Sequence, residues 1–297
     1  MFHDAIIIGG SYAGLAAALQ LARARRRVLV VDAGVRRNRS AAHSHGFLTR
    51  DGEPPAEIAA IGRAQVQAYD TVTWIDGTAD SAERIEGGFR VAIGGAGMAQ
   101  GRHLILATGL RDHLPALPGL AERWGRHVFM CPYCDGYERE RGRLAVFASS
   151  ALAMHQALLL PDWGPTTLLL NDAFTPDAEQ LRQLAARGVA LEHTPVARIE
   201  GDAEVVLRDG RVLPFAGIFT ATRIEVASPI PAQLGCAFDE WPQGSTVRTD
   251  AMKATSVPGV YACGDVARAA GSVTFAVADG AMAGMAVHRE LVFGPAH

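Results

Sequence analysis

A strand, a small-residue turn, a helix and a second strand follow one another twice in this chain. The first copy reads Ile6-Ile7-Ile8, then Gly9-Gly10-Ser11-Tyr12-Ala13-Gly14, then a helix from Leu15 to Ala22, then Val28-Leu29-Val30-Val31 ending at Asp32. The second begins at Leu144-Ala145-Val146-Phe147. It passes a turn at 148–153, a helix near 151–160 and a strand over 167–170. Continuous apolar strands alternating with helices demand a parallel sheet covered on both faces. The chain is therefore placed in the α/β class. Its 297 residues are enough for two cores.

Within each copy the remaining elements are coarser. A helix over about 55–69 and short strands at 89–93 and 103–106 complete the first, which ends at Ala107-Thr108-Gly109. A helix near 176–187 and short strands near 196–213 complete the second, which ends at 218–222. The Pro-rich stretch 113–118 and the segment 241–245 are read as hinges.

The first turn has the chemistry of a dinucleotide site. Gly9 and Gly14 stand at the first and third glycine positions, where backbone must approach a pyrophosphate and a helix must pack on its strand. Ser11 stands where the second glycine is usual. Tyr12 and Ala13 supply further amides at the start of the helix. Asp32 is placed to accept from ribose hydroxyls. The competing reading, a turn that merely packs a helix, leaves Asp32 unexplained. Arg36, Arg37, Asn38 and Arg39 follow that acid; they either touch the adenosine or pyrophosphate, or form a solvated basic loop.

Between the two copies lies Cys131-Pro132-Tyr133-Cys134, followed by Asp135 and Gly136. Two cysteines at this spacing can close and reopen a small disulfide ring, which makes them a two-electron store. The other reading is half of a zinc site. Such a site usually needs two pairs, and Cys236 and Cys263 are isolated singles that read as small buried residues. A carboxylate beside the pair can take or give a proton.

The bulk numbers exclude some classes. A net charge of -3 offers no global attraction to nucleic acid or an anionic membrane. Lys253 is the only lysine, so the arginine density is a habit of composition. Neither the glycine-interrupted stretch 5–24 nor the short one at 152–160 reads as a signal or a span. Four cysteines without a secretion signal lead us to expect a cytoplasmic protein.

The order of the N-terminal fingerprint, Ala107-Thr108-Gly109, the Cys131–Gly136 run and Gly264-Asp265 resembles the low-molecular-weight thioredoxin reductases, along essentially the whole chain. The resemblance implies two Rossmann-like three-layer domains. One, binding FAD, is discontinuous over 1–111 and 249–297; an NAD(P)-type domain over 112–248 is inserted into it and carries the dithiol. By the same likeness Cys134 faces the flavin, Cys131 exchanges with substrate and Asp135 moves the proton. Asp265 bonds the FAD ribitol, and Ser272-Val273 lie near the flavin pyrimidine edge in place of the family's arginine-glutamine pair. A homodimer is implied too. His45 lies in a loop that would pass the isoalloxazine, as a proton shuttle or as a structural loop histidine.

The second turn departs from the reductase pattern. It reads Ala148-Ser149-Ser150-Ala151-Leu152-Ala153, without the expected glycines, and the strand after it leads to Asn171-Asp172 rather than to cations. NAD(P)H use is therefore doubtful; Asp172 could hold an NADH ribose only if the turn still accepted the pyrophosphate. The sequence thus looks similar to the dithiol oxidase branch, which closes disulfides in small sulfur-containing natural products such as epidithiodiketopiperazines and holomycin. The Cys-Pro-Tyr-Cys form and Gly136-Tyr137-Glu138 look like that branch; Asp135, where the branch often has histidine, looks like a reductase. Three functions stay open: an FAD-dependent oxidase of a small-molecule dithiol, an NAD(P)H-dependent reductase of thioredoxin or a small disulfide, and a flavoprotein redox sensor without turnover.

Overall fold

The computed structural model describes residues 1–294. The chain opens with β1 (Phe2–Ile8), α1 (Tyr12–Arg23), β2 (Val28–Asp32), α2 (Pro55–Gln67) and β3 (Val72–Asp76). Strands β4 (Ala79–Ile85), β5 (Gly88–Ile93) and β6 (Gly97–Leu106) follow, and β7 (Leu110–His113) leads away. The middle of the chain forms β8 (Val128–Phe129), the one-turn α3 (Pro132–Asp135), β9 (Leu144–Phe147), α4 (Ala153–Leu159), β10 (Thr166–Leu169), α5 (Ala178–Ala186) and β11 (Ala190–Glu192). Then come β12 (Val196–Glu200), β13 (Glu204–Leu207), β14 (Val212–Pro214) and β15 (Gly217–Phe219). The return runs through β16 (Arg223–Val226), α6 (Ile230–Gln233), β17 (Phe238–Trp241), β18 (Gly244–Val247), β19 (Val260–Ala262) and the long α7 (Val273–Phe293).

Two sheets carry the repeat, the first mixed, with β5 antiparallel to β4 and β6, and the second parallel. The first has the order β3-β2-β1-β6-β5-β4, with β19 also pairing β6. The second runs β11-β10-β9-β15-β8. Strand parity divides each sheet between two cores. Ile7, Val28, Val30 and Ile105 face α1, α2 and α7, while Ile6, Ile8, Leu29, Val31 and Leu106 face the opposite layer. In the second sheet Leu144, Val146 and Leu168 pack on α4 and α5, while Ala145, Phe147 and Leu169 pack on β12–β14. Both sheets are covered on two faces, as three-layer domains require.

Helix α7 lies directly on α1. A Cβ added at Gly280 would sit 2.0 Å from the Ala13 carbonyl oxygen, and one at Gly284 would sit 2.7 Å from that of Ala17. Small residues thus let two backbones touch, which brings the start of α7 beside the first turn.

The two passages between halves run side by side. β7 pairs antiparallel with β16, His113 opposite Arg223 and Leu110 opposite Val226. Segment 241–245, read as a hinge, is instead a hairpin turn, with Trp241 opposite Gly244. Its Pro-Gln-Gly composition signals a turn but cannot say whether the chain returns or leaves. Ile230, Cys236 and Val247 share a core with Ile6, Leu29 and Leu104, so residues 223–248 pack with the N-terminal sheet. No helix among the described residues is long and apolar enough to cross a membrane.

Candidate active site

The first turn is shaped around close backbone approach. Gly9 has φ of 104°, and a Cβ there would lie 2.3 Å from the Ala107 carbonyl oxygen. A Cβ at Gly14 would lie 1.8 Å from the Gly9 carbonyl oxygen. Ser11 is the N-cap of α1 with φ of −89°, a conformation open to any residue, so the missing second glycine costs nothing in backbone strain. Among the described residues, Leu15 N–H is the first in α1 to bond a carbonyl, that of Ser11 at 2.8 Å. The amides of Tyr12, Ala13 and Gly14 are left free at a helix N-terminus, where they favour an anion.

Around that turn several polar atoms lack partners. Thr108 Oγ1 and Asn38 Oδ1 are buried and unbonded, a costly state unless a ligand meets them. Asn38 Nδ2 donates to the Tyr12 hydroxyl at 3.2 Å, and that hydroxyl donates to the Pro55 carbonyl at 3.0 Å. The Tyr12 side chain is thus a strut for the loop, and its amide alone faces the turn. Asp32 Oδ1 accepts from the Gly10 amide at 3.1 Å. Gly10, overlooked from sequence, is confined by Trp74, whose ring carbon would meet a Cβ at 2.5 Å; the doubled glycine was the available sign. A glycine cradle, free amides and orphaned oxygens fit the diphosphate and ribitol of FAD. Gly264 has φ of 75°, Asp265 follows it, and Ser272 caps α7 by accepting from Phe275 N–H at 3.1 Å, placing Val273 at the start of that helix. Gly109 also has positive φ, at 69°.

Arg37, expected beside the nucleotide, gives its guanidinium to two carboxylates instead. Nε and Nη2 donate to Asp112 at 2.7 Å, and Nη1 donates to Asp265 at 2.9 Å. Burial opposes its charge, but the paired carboxylates outweigh that and hold the guanidinium above its ordinary range.

Cys131 and Cys134 are joined as a disulfide with Cα atoms 5.3 Å apart. Cys131 is the N-cap of α3, and Pro132 takes the first helical position, where no N–H is needed. Trp163 supports this turn from behind: it stacks edge-on to Tyr133 with centroids 5.3 Å apart, and a Cβ at Gly136 would meet it at 2.8 Å. Burial pushes the Asp135 carboxyl up to about 6; Arg139 pulls it down, Glu138 pushes it up further and His45 pulls it down. A carboxyl in that range can both take and release a proton near neutral pH.

His45 does reach this region. Its Nδ1 lies 3.4 Å from Glu138 Oε1 and 3.8 Å from an Asp51 oxygen. The next residue, Gly46, accepts at its carbonyl from Thr274 Oγ1 at 2.9 Å. One loop therefore touches both the start of α7 and the segment after the disulfide. Glu138, quoted from sequence only within the Gly136-Tyr137-Glu138 run, was given no role there; a carboxylate four residues past a cysteine pair carries no signal of its own.

Strand register aligns the second turn with the first residue by residue. Gly9 N–H bonds the Val31 carbonyl at 2.8 Å, and Ala148 N–H bonds that of Leu169 at 3.0 Å. Ala148 therefore stands for Gly9, Ser150 for Ser11, Ala153 for Gly14 and Leu170 for Asp32. Leu170, in the acid's place, is a buried core residue. Asp172, the acid that could hold an NADH ribose only if the turn accepted the pyrophosphate, is exposed two residues further on with φ of 53°. The amides are also occupied. Leu152 N–H donates to Ser150 Oγ at 3.3 Å. Ala153, Met154 and His155 donate to the carbonyls of Ser150, Ala151 and Leu152 at 3.2, 3.1 and 3.2 Å. No residue from 148 to 153 has positive φ. The turn is closed on itself.

Among known proteins, the Pyridine nucleotide-disulphide oxidoreductase family matches residues 3–280. The chain is similar to the crystal structure of an oxidoreductase from Agrobacterium tumefaciens, at 53% identity and a TM-score of 0.97, over 99% of this chain and 100% of that one. It is similar to the crystal structure of HlmI at 36% identity and a TM-score of 0.89, over 98% and 92% of the two chains. It is 30% identical to the thioredoxin reductase sirT of Leptosphaeria maculans over 306 residues, covering 96% of this chain and 93% of that protein.

Proposed function

This chain belongs to the pyridine nucleotide-disulphide oxidoreductase family, as a thioredoxin reductase-like FAD oxidoreductase acting on disulfides, and from that premise we propose that it runs as a dithiol oxidase. In this reading a small-molecule dithiol is closed to a disulfide through Cys131 and Cys134, with oxygen as final acceptor and little or no NADPH used. The observation that carries it is the second turn, whose amides are bonded internally and whose acid position holds a buried leucine. A pyrophosphate there would have to displace the bonds of Leu152 and Ala153, which stand where Ala13 and Gly14 have free amides, and would find no ribose acceptor.

The chemistry of the chain's own residues is thiol–disulfide exchange. A deprotonated substrate thiol attacks Cys131 Sγ; the Cys131–Cys134 bond breaks and Cys134 leaves as thiolate. The second substrate thiol then attacks the mixed disulfide, forming the product's S–S bond and releasing Cys131. Two electrons have passed from the substrate to the cysteine pair, and the two substrate protons go to solvent and the cysteines. Asp135, adjacent to Cys134, holds one of these protons in transit. Bound FAD would supply the two-electron acceptor that lets Cys131 and Cys134 close again, and the link from there to oxygen. Gly9, Gly10, Ser11, Ala13, Gly14, Asp32, Asn38, Thr108, Gly264 and Asp265 would hold it, with Val273 at the pyrimidine end.

The same proposal covers the domains. In place of the boundaries at 111 and 249 expected from sequence, the shared cores support an FAD domain of about 1–113 and 223–294 and an inserted domain of about 114–222. A homodimer rests on the family likeness, and a cytoplasmic setting on the cysteine usage.

A second reading, an NAD(P)H-dependent disulfide reductase, is favoured by the carboxylate at Asp135 and by the name of the fungal relative. Anaerobic titration of the oxidised flavoprotein separates the two. Bleaching of flavin absorbance by dithiothreitol, with none by NADPH or NADH, is the expected result. Stoichiometric bleaching by either nucleotide would replace the oxidase with the reductase. Turnover of dithiol with oxygen consumption removes the passive sensor.

A further inference from the structure

We propose that Arg37 is a positioning residue, which clamps the disulfide-bearing segment to the flavin side of the molecule by gripping the outgoing passage between its halves directly and the returning passage through Asp112. The outgoing passage supplies Asp112, on β7. Its two oxygens accept from Arg37 Nη2 and Nε, each at 2.7 Å, the bidentate geometry that fixes direction as well as distance. The returning passage supplies Thr222, one residue before β16, whose Oγ1 donates to Asp112 Oδ1 at 2.8 Å. Met130 closes the group. Its sulfur lies 3.8 Å from Arg37 Nη2 and 3.6 Å from Thr222 Oγ1, and its neighbour is Cys131. The third direction of the guanidinium is taken by Asp265 at 2.9 Å.

One small network thus joins five parts of the fold: the loop after β2, both passages, the residue preceding the disulfide and the carboxylate expected at the cofactor. All three charged side chains are largely buried, with 17%, 12% and 20% of Arg37, Asp112 and Asp265 exposed. An ordinary surface pair would be loose and screened. This one is held by six contacts, and Met130 is reached from the returning passage through Thr222 and from the outgoing one through Arg37. The Met130 carbonyl is further fixed by Gln156 Nε2 at 2.6 Å, so the segment is pinned from the second half as well. A chain whose second turn does not take a nucleotide has no need to swing that half away, and a permanent clamp suits it. In that respect the inference rests on the oxidase reading.

Asp112→Asn and Thr222→Val test it in the full-length, flavin-loaded protein. Neither residue touches the first turn, so flavin content stays at the level of the unmodified chain. Dithiothreitol is added without oxygen, free thiols are trapped with iodoacetamide and counted by mass, and flavin absorbance is followed in parallel. Opening of the disulfide proceeds at the unmodified rate, because exchange at sulfur needs no clamp. Flavin bleaching in Asp112→Asn lags it tenfold or more, so molecules with two free thiols and oxidised flavin accumulate; Thr222→Val shows a smaller lag. Hydrogen exchange rises at residues 110–114 and 220–226 while residues 9–14 stay protected. If bleaching keeps pace with thiol release in both variants, or exchange at the passages is unchanged, the clamp is refuted. If Asp112→Asn does not fold, Thr222→Val decides alone. Bleaching of the unmodified protein by NADPH would overturn the oxidase reading and leave this comparison of variants intact.

Discussion

Gly9 and Ala148 stand at the same place in two copies of one motif, and the two turns treat their amides in opposite ways. After Gly9 the amides of Tyr12, Ala13 and Gly14 are free, and Asp32 holds the turn from the next strand. After Ala148 the amides from Leu152 to His155 bond the turn's own oxygens, and Leu170 fills the acid's place from the core. Only three glycine-to-larger replacements separate an open cradle from a closed loop. The reason is geometric: the helix that follows the first turn packs on its strand within 1.8 Å of where a Cβ would be. With Ala153 at that position, the helix must start differently, and tight i to i−3 bonds are what its first turn can form.

The strongest way to break this comparison is to give the first turn side chains. Gly14→Val or Gly9→Val puts a Cβ 1.8 or 2.3 Å from a backbone carbonyl, overpacking that exceeds about 1–3 kcal/mol where backbone cannot yield. Protein purified from either variant is expected without yellow colour, read as the ratio of flavin to protein absorbance. At the matching place in the second copy, Ala153→Gly and Ser150→Gly leave that ratio unchanged. A yellow Gly14→Val protein, or flavin lost from Ala153→Gly, would show that the two turns are not divided as described.

Much of this division was legible in the residues. Strand parity, the glycines and Asp32 make the first copy readable, because each residue type there answers one local requirement. The missing glycines at 148–153 were equally plain. What could not be read was register. The place of Asp32 in the second copy belongs to Leu170, two residues before Asp172, and only pairing of Ala148 with the strand carbonyl reveals it. The carboxylate partners of Arg37 were hidden for a related reason. Four polar residues in a row say that a basic loop follows the acid, but the partners of Arg37 at 112 and 265 are distant in sequence. Trp241–Ser245 has the composition of any turn, so hairpin and hinge look alike until the strands are paired.

The next test exchanges the two positions that register aligned. Asp32→Ala removes a charged acceptor from the Gly10 amide and from any ribose hydroxyl, about 1.5–3 kcal/mol. Flavin affinity then falls by about ten- to a hundredfold, measured by equilibrium dialysis of released FAD. Leu170→Ala removes core volume instead, at about 2–5 kcal/mol of stability. It melts earlier and keeps its flavin ratio. Equal loss of flavin from both would mean that Leu170 supports the cofactor and that the second turn is not independent of the first.

If the second turn is idle, substrate thiols meet Cys131 directly, and the pH profile of turnover belongs to the thiol site. Burial pushes Asp135 up to about 6, so as a base it is lost when pH falls below that value. The kcat/KM for dithiol oxidation is expected to drop about tenfold per pH unit there, and Asp135→Asn to lower the rate and flatten that limb. The fold feels the same group with a different sign. Between 3.8 and about 6 the folded chain holds a proton that the unfolded chain has released, so the contribution of Asp135 to stability declines as pH rises through that window. Asp135→Asn carries no such penalty. Its melting temperature should exceed that of the unmodified protein at pH 8, with the gap narrowing at pH 4.5. A variant less stable at pH 8 would mean that the carboxylate is held by attraction rather than penalised by burial, and the acidic limb of the rate would then have to come from Glu138 or His45.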